Sequence, residues 1–143
     1  MTNGWTWVDG TIVPTVQNSG YSAKITVDDS NYDYTGVDGY DSTEHTVTRT
    51  IAITVSKSLA PTITAPTATP ITYGATLSTS TLSDNAWTWV DGTIVPTVQN
   101  SGYKVQITVD DSNYDYVGVD GYQGNGIVEK TIQITVTKAT PPA

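Results

Sequence analysis

The sequence predicts an all-β chain built from two copies of one unit. The string TWVDGTIVPTVQNSGY occurs at 6–21 and again, unchanged, at 88–103, and ITVDDSNYDY occurs at 25–34 and 107–116. A repeat of this length sets the architecture and has to be read before any local motif. The chain is also rich in branched and aromatic strand formers, and Gly, Pro, Asn and Asp interrupt it at short intervals, as in all-β proteins.

The first predicted strand of each copy carries two tryptophans. Trp5 and Trp7 are two positions apart, as are Trp87 and Trp89. Because side chains alternate along a strand, each pair lies on one face. An Asp-Gly turn signal follows, and the next stretch of the first copy contains Pro14, which cannot donate to a ladder and therefore predicts an edge strand, a bulge or an extended connection.

The clearest strand of the first copy is Tyr21–Val27, in which every second residue is apolar. This alternation is typical of a strand with one buried and one solvated face. The second copy repeats the pattern at Tyr103–Val109. Each copy then closes with another alternating strand, at 50–57 and at 131–138.

An acidic segment, DDSNYDY, follows the clearest strand in both copies. The pairs Asp28 with Tyr32 and Asp110 with Tyr114 have the spacing of a tyrosine corner, in which the phenol bonds to nearby backbone and fixes a crossover between two sheets. A longer acidic loop comes next and is one residue shorter in the second copy.

A Pro-rich stretch at 61–70 divides the copies and favours an extended linker. The strand-like segment Ile71–Leu82 then follows, and the first copy has no counterpart for it. We therefore predict a truncated repeat at 1–60 and a complete repeat at 61–143. In this phase the first copy has an open sheet edge, through which the chain could self-associate.

The alternative phase runs from Trp to Trp, roughly 4–85. Residues 61–85 would then complete the first copy, and the second copy would be the unfinished one. The Pro-rich stretch favours the first phase, because domain boundaries commonly fall in such segments.

Charge and composition exclude several classes of function. The formal net charge is -8, which argues against nucleic-acid binding and against docking on anionic lipid. No apolar run is long enough to insert in a membrane. The only histidine, His45, has no counterpart in the second copy, so a Ser-His-Asp site cannot exist in both copies. We predict that the chain is not an enzyme.

The acidic segments suggest a calcium site as one alternative, because oxygen ligands at alternate positions suit this hard cation. The candidate ligands are Asp29, Asn31, Asp33 and Asp38 in the first copy and Asp111, Asn113, Asp115 and Asp120 in the second. The EF-hand pattern fails, since tyrosine occupies its glycine position. The competing interpretation is a tyrosine corner followed by a solvated acidic loop.

The tryptophans suggest a second alternative, glycan binding, because exposed aromatic rings can stack on sugars. The candidate residues are Trp5, Trp7, Trp87 and Trp89. The competing interpretation places them in the core, since a small sandwich without Phe needs other large apolar residues. We expect one Trp of each pair to be buried and one partly exposed.

The second copy, in the order ITYGATLSTSTL, WTWVDGTIVP, NSGYKVQITV, DDSNYDY and IQITVTKA, resembles the bacterial Ig-like repeats of YDG or MBG type. The resemblance implies tandem Ig-like antiparallel β-sandwich repeats, the first copy lacking its opening strands. It also implies an extracellular, cell-surface location in an adhesin-like protein, where a repeat acts as a structural spacer.

The resemblance also implies the partners. They are the neighbouring repeats of the same chain and, if the module binds a ligand, a host or cell-surface glycan or protein. Modules of such stalks sometimes carry a covalent crosslink, and Lys57 and Lys138 fall on the inward register of their strands. Lysine at a strand end more commonly extends to the rim.

Overall fold

A computed structural model describes residues 4–143 and divides the chain into two compact units. Unit 1 ends at Lys57, and unit 2 comprises Ser58–Ala143. Both are built from β-strands, mostly antiparallel, and the only helical element of the described residues is a short 3₁₀ turn at Leu77–Thr79. The predicted all-β, sandwich-like fold is confirmed. None of the described helical segments has the length and apolar character that a membrane span requires.

Unit 1 contains one four-stranded antiparallel sheet. Its strands are β1 (Thr6–Trp7), β2 (Tyr21–Thr26), β3 (Tyr40–Asp41) and β4 (Thr46–Ile51), in the order β1-β2-β4-β3. The alternation seen in the sequence sets the register, because β2 opposes β4 from Tyr21 with Ile51 to Thr26 with Thr46. The core of this sheet is small. Ala23 and Val47 are its buried apolar residues.

Unit 2 repeats three strands of this sheet, has a single bridge (Tyr122 with Val128) in place of β3, and adds two more strand pairs. Its strands are β5 (Ser58–Leu59), β6 (Ile71–Thr72), β7 (Trp87–Trp89), β8 (Tyr103–Thr108), β9 (Tyr114–Asp115), β10 (Ile127–Ile132) and β11 (Val136–Thr137). The antiparallel sheet has the order β10-β8-β7, while β5 pairs with β9 and β6 with β11 in parallel. Parallel pairs need long crossover connections, and here the connections are residues 60–113 and 73–135.

Two apolar clusters form the core of unit 2. One is built on Trp87, Val105, Tyr116, Val128 and Ile132. The other consists of Leu77, Ile134 and Val136, with Trp89 packed against both. Segment 58–86 therefore contributes a central residue, Leu77, to the second cluster.

Glycine is required where a loop passes close to β4 in unit 1 and to β10 in unit 2. Gly39 has φ +83°, and an added Cβ would overlap the carbonyl oxygen of Thr48. Gly121 has φ +86° and meets Glu129 in the same way. The approach is fixed by a hydrogen bond, since the N–H of Thr48 donates to Gly39 and that of Glu129 to Gly121. Only a residue without Cβ fits such a contact.

Candidate functional site

The acidic turn of unit 1 is organised by the carboxylate of Asp29. The hydroxyl of Tyr40 donates to Asp29 Oδ2 over 2.6 Å, and Nδ1 of His45 lies 2.7 Å from the same oxygen. Asp29 is largely shielded by these partners, while His45 is exposed. His45 adopts φ 58°, a left-handed conformation that is uncommon for residues other than glycine.

These contacts move the pKa values of all three groups. The hydrogen bond from Tyr40, and then that from His45, lowers the pKa of Asp29. The bond to Asp29 raises the pKa of Tyr40 to about 12. The same carboxylate raises the pKa of His45, chiefly by hydrogen bonding and then by its charge. Asp29 and His45 therefore stabilise each other's charged forms.

Unit 2 keeps only part of this arrangement. The hydroxyl of Tyr122 donates to Asp111 Oδ2 over 2.5 Å, and this bond raises the pKa of Tyr122. Gly126, with φ +78°, occupies the position of His45. The Tyr-to-Asp bond is common to the two units and is structural, whereas the histidine contact belongs to unit 1 alone.

This tyrosine was not among the residues predicted to contact the aspartate. A signal existed, because the two residues are separated by 11 positions in both units. The tyrosine ring also packs on a second one, Tyr34 in unit 1 and Tyr116 in unit 2, at centroid distances of 5.8 and 5.9 Å.

The other candidate calcium ligands of unit 1 have separate protein partners. The Asn31 amide donates to Asp28 Oδ2 over 2.9 Å, and Asp33 Oδ1 accepts the N–H of Thr35 over 2.9 Å. Asp38 is exposed and pairs with Arg49, N to O 3.2 Å.

The same pattern holds in unit 2. The Asn113 amide donates to Asp110, Asp115 accepts the N–H of Val117, and Asp120 pairs with Lys130 over 3.3 Å. Within the described residues, no three His, Cys, Asp or Glu side chains converge on a point that could hold a metal ion. The candidate ligands thus serve the turns in which they lie. Calcium binding stays a prediction.

The Asp28–Tyr32 and Asp110–Tyr114 pairs are joined through the backbone. The N–H of each tyrosine donates to the aspartate carbonyl over 3.2 Å, and the Tyr32 side chain is largely exposed. The phenols that bond to upstream backbone belong instead to the preceding strand. The hydroxyl of Tyr21 accepts the N–H of Thr15 over 3.2 Å, and Tyr103 does the same with Thr97 over 3.3 Å.

The tryptophans differ between the units. Trp87 is 3% exposed and lies in the core of unit 2, where it cannot stack on a sugar. Trp89 is half-buried and packs on both clusters. Trp5 and Trp7 are both half-buried, so the units differ at Trp5 and its counterpart Trp87, while Trp7 and Trp89 are alike. Lys57 and Lys138 are both exposed.

The largest difference between the units is an apolar surface of unit 1, here called the uncovered face. It consists of Trp7, Ile12, Pro14, Tyr21, Ile51 and Ile53. Ile51 and Ile53 are each 37% exposed, whereas their counterparts Ile132 and Ile134 are 7% and 6% exposed. A cavity of about 140 Å³ opens in this face beside Trp7, Pro14 and Ile53. An apolar surface that is exposed in one unit and buried in the other is a candidate interaction site.

The edges of unit 1 are open at the same positions. In unit 2, β5 pairs with Tyr114–Asp115 and β6 with Val136–Thr137. Among residues 4–143, no strand pairs with the unit 1 counterparts, 32–33 and 55–56. Comparison with family models, with curated proteins and with solved structures found no match.

Proposed function

We propose that the chain is a structural spacer, a piece of a tandem array of Ig-like β-sandwich repeats in a bacterial surface protein. The array extends outside the cell and presents an adhesive region, and its units are its main partners. The observation that carries this proposal is the duplication. Residues 6–21 and 88–103 are identical and form the same strands in the same register.

Duplication of a whole unit supports a mechanical role better than a catalytic one. A spacer needs units that fold alike and join through stiff connections, and its length then grows with the number of units. Unit 2 follows unit 1 directly at Ser58, and the prolines at 61, 66 and 70 restrict the extended segment with which unit 2 begins. The bonds around Asp29 and Asp111 hold their turns and need no reacting partner.

Two measurements test the proposal. Small-angle scattering on chains carrying one, two and three additional copies of residues 58–138 is expected to show a maximum dimension that rises by a constant step. A dimension that stays level as copies are added would contradict a spacer. On intact cells of the source organism, an antibody against the chain is expected to lose its signal after external protease treatment, while a cytoplasmic marker remains. Protection of the chain would contradict a surface location.

The second candidate function is a ligand-binding adhesin module. The observation in its favour is an open polar depression of about 360 Å³ in unit 1, lined by Asp29, Asn31, Asp33, Tyr34 and Tyr40 among others. Carboxylates and tyrosine hydroxyls are groups that bind either calcium or sugar hydroxyls. Equal melting temperatures with calcium and with chelator, together with silence on a glycan array, would leave the spacer function alone.

A further inference from the structure

The uncovered face of unit 1 and the covered face of unit 2 are built from the same residues. Residues 6–21 and 88–103 are identical, and the closing strands carry isoleucine at the same positions. The difference is segment 58–86, which lies on unit 2 and has no counterpart among the described residues of unit 1. In unit 2, segment 58–86 therefore shows which kind of chain segment fits the uncovered face of unit 1.

The apolar half of this fit centres on Leu77, which is 1% exposed. Leu77 shares a cluster with Ile134 and Val136, and Trp89 and Tyr103 pack against that cluster. The unit 1 counterparts of these four residues are all present with the same side chains. They are Ile53, Val55, Trp7 and Tyr21.

The polar half of the fit is a set of backbone hydrogen bonds. The N–H groups of Leu77 and Ser78 donate to the carbonyls of Ile94 and Gly92 over 2.9 and 3.0 Å. Those of Ser58, Ile71 and Tyr73 donate to the sheet edges over 2.8 to 3.1 Å. The corresponding acceptors of unit 1 are the carbonyls of Gly10, Ile12, Asn31, Thr54 and Ser56. Strand addition to a sheet edge gains affinity from such main-chain bonds and specificity from the side-chain pockets.

We propose that the uncovered face of unit 1 binds an extended Thr- and Pro-rich segment with the sequence pattern of residues 58–86, supplied free of its own unit. This interaction goes beyond the spacer function and does not depend on where the protein is located. The segment carries one charged residue, Asp84. The net charge of the chain therefore adds little repulsion to its binding.

A whole second copy is a weaker occupant than a free segment. In an intact copy, residues 58–86 already lie on unit 2. Their transfer to unit 1 of another molecule uncovers one face for each face that it covers. No contact area is gained, while association costs translational and rotational freedom. A segment with no unit of its own gains all of these contacts.

The test uses the full 143-residue chain and a synthetic peptide of residues 58–86. The four tryptophans give four indole N–H signals in a ¹⁵N NMR spectrum, and the peptide contains no tryptophan. Addition of peptide is expected to shift the signals of Trp5 and Trp7 with saturation and to leave those of Trp87 and Trp89 in place. The unit 2 tryptophans act as the internal control, because their own segment already covers them.

Matched variants test the contact itself. A peptide with Leu77→Asp is expected to bind at least about 30-fold more weakly, because the buried leucine is lost and a charge replaces it. The chain variant Ile53→Asp is expected to bind the natural peptide as weakly. Ile53 is part-exposed, so this variant is expected to keep the unliganded Trp5 and Trp7 signals in place.

A second chain variant keeps the test independent of Ile53. A Cβ on Gly92 would lie 3.2 Å from the Ser78 Cβ, whereas a Cβ on Gly10 meets nothing within 4 Å. Gly10→Val is therefore expected to leave the free chain folded and to block the peptide.

Three results would overturn the proposal. One is the absence of any indole shift at about 1 mM peptide, which would mean a binding free energy weaker than about 4 kcal/mol. Another is a shift confined to Trp87 and Trp89, which would mean that the peptide only exchanges with the segment on unit 2. The third is a dimer of the chain alone, seen by sedimentation and not displaced by peptide. That result would assign the face to a whole second copy.

Discussion

His45 lies with Nδ1 2.7 Å from Asp29 Oδ2, at a turn position where unit 2 has Gly126. The two units thus have different residues at the same positive-φ position of the turn. Both residues have positive φ, 58° and 78°. Glycine adopts this conformation without steric cost, whereas histidine needs a compensating contact. The Asp29 carboxylate supplies that contact in unit 1.

The pairing predicts a pH-dependent stability of unit 1. The pKa of His45 is raised in the folded state. Its contribution to the stability of unit 1 is therefore fully present below its unfolded pKa, near 6.5, and is lost as pH rises through the folded pKa. The pKa of Asp29 is lowered from 3.8 in the folded state. Its contribution to the stability of unit 1 is therefore present above that value and is lost as pH falls through the folded pKa. NMR titration of the His45 ring is expected to give a pKa above the ordinary value. In Asp29→Asn the His45 pKa is expected to return toward it, and an unchanged pKa would contradict the pairing.

The substitution His45→Gly separates backbone strain from the ion pair. Above the folded pKa of His45 the ring is neutral, and we expect the variant to be at least as stable as the parent because glycine relieves the positive φ. Below pH 6.5 the variant is expected to become less stable relative to the parent, since the charged contact with Asp29 is absent. Urea unfolding at the two pH values, followed through the Trp5 and Trp7 signals, measures the difference. If the difference in stability between variant and parent were the same at both pH values, the contribution of the ion pair would be contradicted.

Ile53 and Ile134, each two residues beyond β4 or β10, form a matched pair. We expect Ile134→Ala to lower the free energy of unfolding of unit 2 by about 2–5 kcal/mol, because it leaves a cavity beside Leu77. Ile53→Ala is expected to cost unit 1 about 1 kcal/mol or less, since Ile53 is 37% exposed and has no such neighbour. Denaturant unfolding of both variants checks this. Equal costs would mean that the face of unit 1 is covered in solution.

The glycines of the acidic loop give a second matched pair. Gly39 and Gly36 have nearly equal φ, +83° and +82°, but only Gly39 touches the Thr48 carbonyl. Gly36→Ala is expected to cost about 1–2 kcal/mol from the left-handed backbone alone. Gly39→Ala should cost at least about 2 kcal/mol more, because the loop has to move away from β4. Thermal melts compare the two, and equal losses would show that the close approach is unimportant.

The strands β2 and β8 were predictable because their alternation depends only on local sequence. The closing strands expected at 50–57 and 131–138 instead lie mainly earlier, at Thr46–Ile51 and Ile127–Ile132. The burial of neighbouring residues was not predictable. Ile53 and Ile134 stand in nearly the same local sequence, yet one is part-exposed and the other buried. The difference arises from Leu77, a residue far away in the chain. Nothing in the local pattern decides which copy that residue covers, so the two phases could not be separated from the sequence alone.

In the acidic turn, too, local contacts could be predicted from the sequence and non-local contacts could not. The Asx-type turns at Asp9 and Asp33 use partners two residues away and follow from turn chemistry. The partner of the Tyr40 hydroxyl lies 11 residues away, and it depends on how the loop folds back. The phenol-to-backbone bond was expected at Tyr32 and is found at Tyr21, because a hydroxyl bonds whichever backbone group the tertiary fold brings within reach.

The order of segment 58–86 in the chain has a kinetic consequence. Thr137 bonds to Thr72 across 65 residues, whereas the widest ladder pairing of unit 1 joins Tyr21 to Ile51. Closing a long loop before its contacts form slows folding, and non-local pairing is the main determinant of rate in small domains. We therefore expect unit 1 to fold faster than unit 2. On a ribosome, unit 2 cannot close until its last strand has emerged.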